Sequence, residues 1–134
     1  MKIKTDFVTN SSSTNFIIMS RGVPTLHAFF KAVGISQESM FLDVFVRLFN
    51  CFKGNLHPGQ WYAMRFGYRT VDEFVEKHFS GDTLARVREA EAMGYDIYIG
   101  DLCSDNDAIE ALFCCDSFVI DSGKLVIDAT EDAW

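Results

Sequence analysis

The chain has 134 residues, of which 49% are hydrophobic, and its formal net charge at pH 7 is −7. A chain of this length folds by default as one domain and can bury a core without metal or disulfide staples. The acidic balance disfavours nucleic acid and anionic membranes as partners. No apolar stretch has the length of a membrane span or the pattern of a signal peptide. We therefore predict a single cytoplasmic domain over residues 1–134.

Charge is distributed unevenly along the chain. Residues 1–80 carry nine basic and six acidic side chains, whereas residues 81–134 carry three basic and thirteen acidic ones. Like charges that are concentrated in one part of a chain are typical of a solvated contact surface. The acidic C-terminal half is therefore predicted to attract a basic partner.

The N-terminal region is predicted to form two strands joined by a polar connection. Apolar and polar residues alternate over residues 2–8, and the run FIIMS at 16–20 is apolar enough for a buried strand. The stretch TNSSSTNF, residues 9–16, lies between them. Ser, Thr and Asn side chains readily bond to nearby backbone groups in turns, so this stretch is interpreted as a structured connection.

The opening MKIKTDFVTNSSSTNFII resembles the start of a broad set of uncharacterised bacterial and archaeal proteins that begin near MKxRTDFVTNSSSSSFI. This chain departs from that pattern with Lys4, where arginine is common, and with Thr14-Asn15 inside the serine run. The resemblance implies a shared N-terminal element and carries over no activity to this chain. A serine run that accepts a covalent modification is one alternative function that we keep open.

Four helices are predicted between the second and third strands. Thr25 and Gly34 bound the first helix, and Ser36 is the predicted N-cap of the second. Thr70 and Glu73 match a capping box, which predicts the start of the third. The intervening residues 55–69 break the helical period at His57-Pro58-Gly59 and are predicted to be irregular. The predicted helices span approximately residues 25–33, 37–53, 71–79 and 83–93.

The last third of the chain is predicted to wind as strand, helix, strand, strand. The segments are a strand at 95–100, a helix at 105–115 and strands at 117–121 and 124–128. A strand, helix, strand order of this length suggests a parallel crossover, and Ser122-Gly123 predicts a tight hairpin. The predicted fold is therefore an α+β domain with a mixed sheet of four to five strands and about five helices.

Four aspartates would gather at one edge of the sheet if that crossover forms: Asp101, Asp105, Asp107 and Asp121. Oxygen-rich clusters at the carboxyl ends of strands suit Mg²⁺ or Ca²⁺. We favour a structural role for these aspartates over a metal site, because aspartates are also favoured as helix caps and turn residues. We therefore predict no catalytic residue, no metal ligand and no cofactor, and we keep a metal-assisted hydrolase that uses Asp101, Asp105 and Asp121 as an alternative.

A second candidate surface lies in the segment predicted to be irregular. Trp61, Tyr62, Arg65 and Arg69 combine aromatic rings with guanidinium groups, a composition that is common where proteins bind partners. The structural interpretation is that the aromatic rings close the core while the arginine stems cover them. We predict a non-catalytic binding or regulatory domain for a protein partner, with the acidic half as contact surface, and we leave homo-oligomerisation open.

Overall fold

The structure is a computed structural model that describes residues 13–34, 36, 38–103, 118–122 and 125–130. Within these residues the chain forms five strands and five helices, and the predicted α+β class is confirmed. The strands are β1 (Ser13–Ser20), β2 (Leu56–Pro58), β3 (Asp96–Cys103), β4 (Phe118–Asp121) and β5 (Leu125–Ala129). The helices are α1 (Leu26–Val33), α2 (Leu42–Gly54), α3 (Gly59–Arg65), α4 (Val71–His78) and α5 (Gly81–Ala92).

The five described strands form one sheet in the order β2-β3-β1-β5-β4, and neighbouring strands are antiparallel at each pairing. The sheet is therefore antiparallel rather than mixed. The predicted parallel crossover is wrong, because β3 and β4 run in opposite directions and are separated by β1 and β5. The physical reason is the apolar run of β1, which pairs along both of its edges and so takes the central position.

Helices cover both faces of the sheet. α1 and α2 pack on the face that carries Phe16 and Ile18, whereas α3, α4 and α5 pack on the face that carries Ile17 and Met19. Because successive side chains of a strand point to opposite faces, a strand covered on both sides must be apolar throughout most of its length. This arrangement explains why every residue of β5 is buried.

Two of the helix starts that local sequence predicts are confirmed. The Thr25 hydroxyl accepts the amide of Ala28 at 3.1 Å, and α1 ends at Gly34 in the left-handed conformation with φ of 76°. The Thr70 hydroxyl accepts the amide of Glu73 at 3.2 Å at the start of α4. The Glu73 carboxylate accepts the amide of Arg69 at 2.9 Å. The capping interaction therefore includes the residue before the cap.

Other boundaries differ from the predicted ones. α2 begins at Leu42, and its N-cap residue Phe41 makes no side-chain capping bond. The Ser36 hydroxyl, predicted to cap this helix, accepts the amide of Glu38 at 3.3 Å instead. Residues 55–69, predicted to be irregular, contain β2 and α3. α5 begins at Gly81, two residues before the predicted start.

The C-terminal hairpin is confirmed for the strands that flank it. The Ser122 amide donates to the carbonyl oxygen of Leu125 at 3.1 Å, so Ser122, predicted as the first residue of the turn, is instead paired with Leu125. The predicted strand at 2–8 and the predicted helix at 105–115 lie outside the described residues. In the part of the chain that the structure describes, no helix has both the length and the apolar character that crossing a membrane requires.

Gly100 lies where β3 meets the backbone that leads from α2 into β2. A Cβ atom at this position would lie 2.1 Å from the carbonyl oxygen of Asn55 and 2.6 Å from the ring of Phe16. The Asn55 oxygen is backbone and cannot rotate away. The close approach of β2 to β3 therefore requires glycine at this position.

Replacing Gly100 by alanine is expected to lower the free energy of unfolding by about 3 kcal/mol or more, because the new methyl group would have to push two packed segments apart. Urea denaturation monitored by circular dichroism measures this loss. Gly81→Ala is the matched control, since nothing lies within 4 Å of its Cβ position in α5. The control is expected to be neutral or slightly stabilising. Equal stability of both variants would contradict the close packing at Gly100.

Candidate functional site

α3 packs on β3, close to the edge of the sheet that β2 forms. Its first residue, Gly59, packs closely against the strand. A Cβ atom at this position would lie 2.9 Å from the carbonyl oxygen of Ile97. Tyr62 and Ala63 point inwards and are 4% and 0% exposed. The spacing of these three inward residues is helical, so one face of α3 is seated on the sheet.

A network of hydrogen bonds connects α3 to β1 and β3. The Asn15 side-chain amide donates to the Tyr62 hydroxyl at 2.6 Å, and that hydroxyl donates to the Asp101 carboxylate at 3.1 Å. Asn15 also donates to the carbonyl oxygen of Gly100 at 3.2 Å. Asn15 and Asp101 lie opposite each other in the β1–β3 register. The last polar residue of the TNSSSTNF stretch therefore helps to hold α3 in place.

Aromatic rings surround the hydroxyl-bearing ring of Tyr62. The Tyr62 ring centroid lies 4.8 Å from that of Phe66 and 5.6 Å from that of Phe74, the latter edge-on. His57, from the edge strand β2, stacks on Tyr62 at 5.9 Å and lies 4.9 Å from Trp61. Such ring pairs add to the stabilisation from burial itself. α3 is thus fixed by packing as well as by hydrogen bonds.

The outer face of α3 and the residue that follows the helix, Phe66, expose large apolar side chains. Trp61 is 48% exposed, Met64 61% and Phe66 55%. The Arg65 guanidinium lies over the Trp61 ring, 5.5 Å from its centroid. We call these four residues, Trp61, Met64, Arg65 and Phe66, the α3 surface. Single exposed apolar residues need no explanation, but a group within one short segment is typical of a contact site.

The α3 surface lies in a segment whose charge opposes that of the chain. Residues 44–71 contain four basic residues and no Asp or Glu, although the net charge of the chain is −7. Two of the four, Arg65 and Arg69, have exposed side chains next to the apolar group. The local charge therefore favours acidic groups as neighbours.

The predicted partner-binding residues divide into exposed and buried positions. Trp61, Arg65 and Arg69 are exposed, and the structure places the first two on the same side of α3. Tyr62 is buried and supports the α3 surface from beneath, because it belongs to the inward helical spacing. For Tyr62 the interpretation as a core residue is the correct one.

The predicted acidic cluster does not form between its two described members. Asp101 lies near the C-terminal end of β3 and Asp121 at that of β4, and these strands run in opposite directions, so the two carboxylates lie at opposite ends of the sheet. Asp105 and Asp107 lie outside the described residues. Among the residues that the structure describes, no three His, Cys, Asp or Glu side chains are placed to hold a metal ion.

A buried carboxylate that sequence analysis did not single out is Asp128 in β5. It is fully buried and accepts hydrogen bonds from the Thr83 hydroxyl and from Arg86 Nη1, both at 2.8 Å. It also accepts the amide of Thr130 at 3.1 Å. These contacts tie α5 to the sheet, which is a structural role. An acid inside the otherwise apolar run LVIDA was the signal that could have identified it.

No protein-family model, no curated protein and no solved structure matches the chain. The α3 surface is therefore the feature of the molecule from which a function is inferred.

Replacing Tyr62 by phenylalanine is expected to lower the free energy of unfolding by about 2 kcal/mol. The substitution keeps the ring but removes the hydroxyl that bonds Asn15 and Asp101, which leaves two partly buried polar groups without that partner. Thermal and urea denaturation measure the change. Tyr98→Phe is the control, because the Tyr98 hydroxyl forms no side-chain hydrogen bond within the described residues, and it is expected to change stability by less than about 0.5 kcal/mol. Equal losses in both variants would contradict the proposed anchoring of α3.

Proposed function

We propose that the chain is a non-catalytic protein-binding domain whose contact site is the α3 surface. The partner is expected to present carboxylates beside large apolar side chains. The observation that supports this proposal most strongly is the exposure of Trp61, Met64 and Phe66 within six residues, beside the guanidinium of Arg65.

The residue types of the α3 surface favour a protein partner. Trp and Arg are enriched among the residues that contribute most to the affinity of protein complexes, and Met adapts its shape to different apolar partners. Covering Trp61 and Phe66 removes apolar area from water, and this burial is favourable. Arg65 can keep its contact with the indole while it bonds a carboxylate of the partner.

The charge of this surface favours an acidic partner, whereas the sequence analysis predicted a basic partner for the acidic half. That prediction rests on the excess of carboxylates in residues 81–134, and the two described members of the predicted cluster, Asp101 and Asp121, lie at opposite ends of the sheet. The absence of Asp and Glu from residues 44–71 leaves Arg65 without a carboxylate from its own segment, whereas the Arg69 backbone amide donates to the Glu73 carboxylate. A ligand carboxylate is therefore complementary to this surface.

The support beneath the α3 surface reduces the entropic cost of binding. Trp61 and Arg65 project from a helix whose opposite side is fixed by Tyr62 and by the close contact of Gly59 with β3. A surface that is ordered before binding loses little conformational freedom on association. This property distinguishes the α3 surface from an exposed loop.

Selection of random displayed peptides against the immobilised chain tests the proposal. Peptides in which Asp or Glu lies next to Trp, Phe or Leu are expected to be enriched. A selected peptide is then expected to lose at least about 30-fold in affinity for Trp61→Ala, the loss that corresponds to about 2 kcal/mol at an interface residue of this kind. Arg65→Glu is expected to lower the affinity for the same peptide, because it reverses the charge that faces the peptide carboxylates. Isothermal titration calorimetry measures both effects.

The matched control is Phe41→Ala. Phe41 is 57% exposed but precedes α2, which belongs to the helical layer on the opposite face of the sheet. It is expected to leave the affinity of the selected peptide unchanged. Enrichment of peptides without acidic residues would contradict the proposed partner, and unchanged binding to Trp61→Ala would contradict the proposed site.

A further inference from the structure

A groove of basic character lies beside α1, in the layer on the opposite face of the sheet from the α3 surface. It consists of two adjoining hollows of about 440 and 420 Å³ that share Ala28 and Leu125 in their walls. Volumes of this size are typical of sites for small organic ligands. We call the two hollows together the α1 groove.

We propose that the α1 groove binds a small organic phosphate monoester. The phosphate lies in the smaller hollow, beside His27 and Lys31, and the flat or apolar body of the ligand lies in the larger one. This site is separate from the α3 surface and does not depend on the function proposed for it.

The charges of the groove favour an anion. Arg21, His27 and Lys31 line its walls, and the described residues that line either hollow include no Asp or Glu. In a chain of net charge −7 this is a local reversal of sign. Asp96 accepts the backbone amide of Gly22 at 3.1 Å and does not line the groove, and neither does Asp121, the residue before Ser122.

The smaller hollow has the donors that a phosphate requires. His27 and Lys31 are four residues apart, so they lie on one side of α1, and both are exposed. Ser122 lines the same hollow from the β4–β5 hairpin, but its hydroxyl donates to the carbonyl oxygen of Leu125 at 3.2 Å, so the donors offered to a phosphate are those of His27 and Lys31. A phosphate monoester carries a charge of about −1.5 to −2 at pH 7 and three acceptor oxygens, so it can use several donors at once, whereas a carboxylate has one charge and two oxygens.

The larger hollow is suited to a flat or apolar body. Its walls include buried Pro24 and Leu125, and the partly buried ring of Tyr95. The Arg21 guanidinium lies 5.3 Å from the centroid of the Tyr95 ring and donates to the carbonyl oxygen of Met93 at 3.4 Å, so its position at the rim is fixed. A planar guanidinium held in this way offers a stacking surface to an aromatic ligand.

Titration of the full chain with defined probes tests the proposal. The phosphate probes are 1-naphthyl phosphate and adenosine 5′-monophosphate. The comparison probes are 1-naphthol, adenosine, 1-naphthoate and inorganic phosphate. At least one phosphate probe is expected to bind at least about tenfold more tightly than its uncharged counterpart, because a hydrogen bond to a charged group contributes enough free energy for a tenfold difference in affinity. Naphthyl phosphate is also expected to bind more tightly than naphthoate.

Variants of α1 locate the site. Lys31→Glu and the milder Lys31→Gln are expected to lower the affinity for the phosphate probe, and Lys31→Glu by at least about tenfold. In NMR titrations, the chemical shifts that change are expected to be those around His27 and Lys31. Lys77→Glu makes the same charge change on α4, in the other helical layer, and is expected to leave affinity unchanged. The proposal is overturned if no phosphate probe binds at millimolar concentration, if the uncharged or carboxylate probes bind equally well, or if Lys77→Glu weakens binding as much as Lys31→Glu.

Discussion

The burial of β1 on both faces is the constraint on which the rest of the structure depends. Phe16 and Ile18 point into the layer of α1 and α2, and Ile17 and Met19 point into the layer of α3, α4 and α5. A strand with this composition is stable only when helices exclude water from both sides and when neighbouring strands pair with both of its edges. The central place of β1, the separation of β3 from β4 and the two helical layers all follow from this requirement.

The polar side chains of the covered strands lie where residues of the helices can form hydrogen bonds with them. Asn15 precedes the apolar stretch of β1, Asp101 lies opposite it in β3, and both bond Tyr62. Asp128 bonds Thr83 and Arg86 from α5. Every buried side-chain N or O atom among the described residues has a hydrogen-bond partner. These bonds set the position of α3 and α5 on the sheet, and the position of α3 determines which of its side chains face solvent. The contact surface is therefore a consequence of how the sheet is covered.

Local signals allowed the capped helices and most of the strands to be predicted, but the strand order depends on pairings between distant residues. Thr25 and Thr70 act on their own first turns, so their effect is visible in a short window. α3 was missed because Pro58-Gly59 has the composition of a turn, yet proline is tolerated at the start of a helix and on an edge strand. The exposure of Trp61 and the burial of Tyr62 followed only once α3 was recognised as a helix. The meeting of Asn15 with Asp101 depends on register, which local sequence does not specify.

Amide hydrogen exchange in β1 tests the central position of this strand most directly. The amide protons of Ile17, Ile18 and Met19 lie in the part of β1 that pairs with both β3 and β5. They are predicted to exchange only when the whole molecule unfolds, with an opening free energy equal to the free energy of global unfolding measured by denaturant. Opening free energies several kcal/mol lower, as expected for an edge strand, would contradict the account.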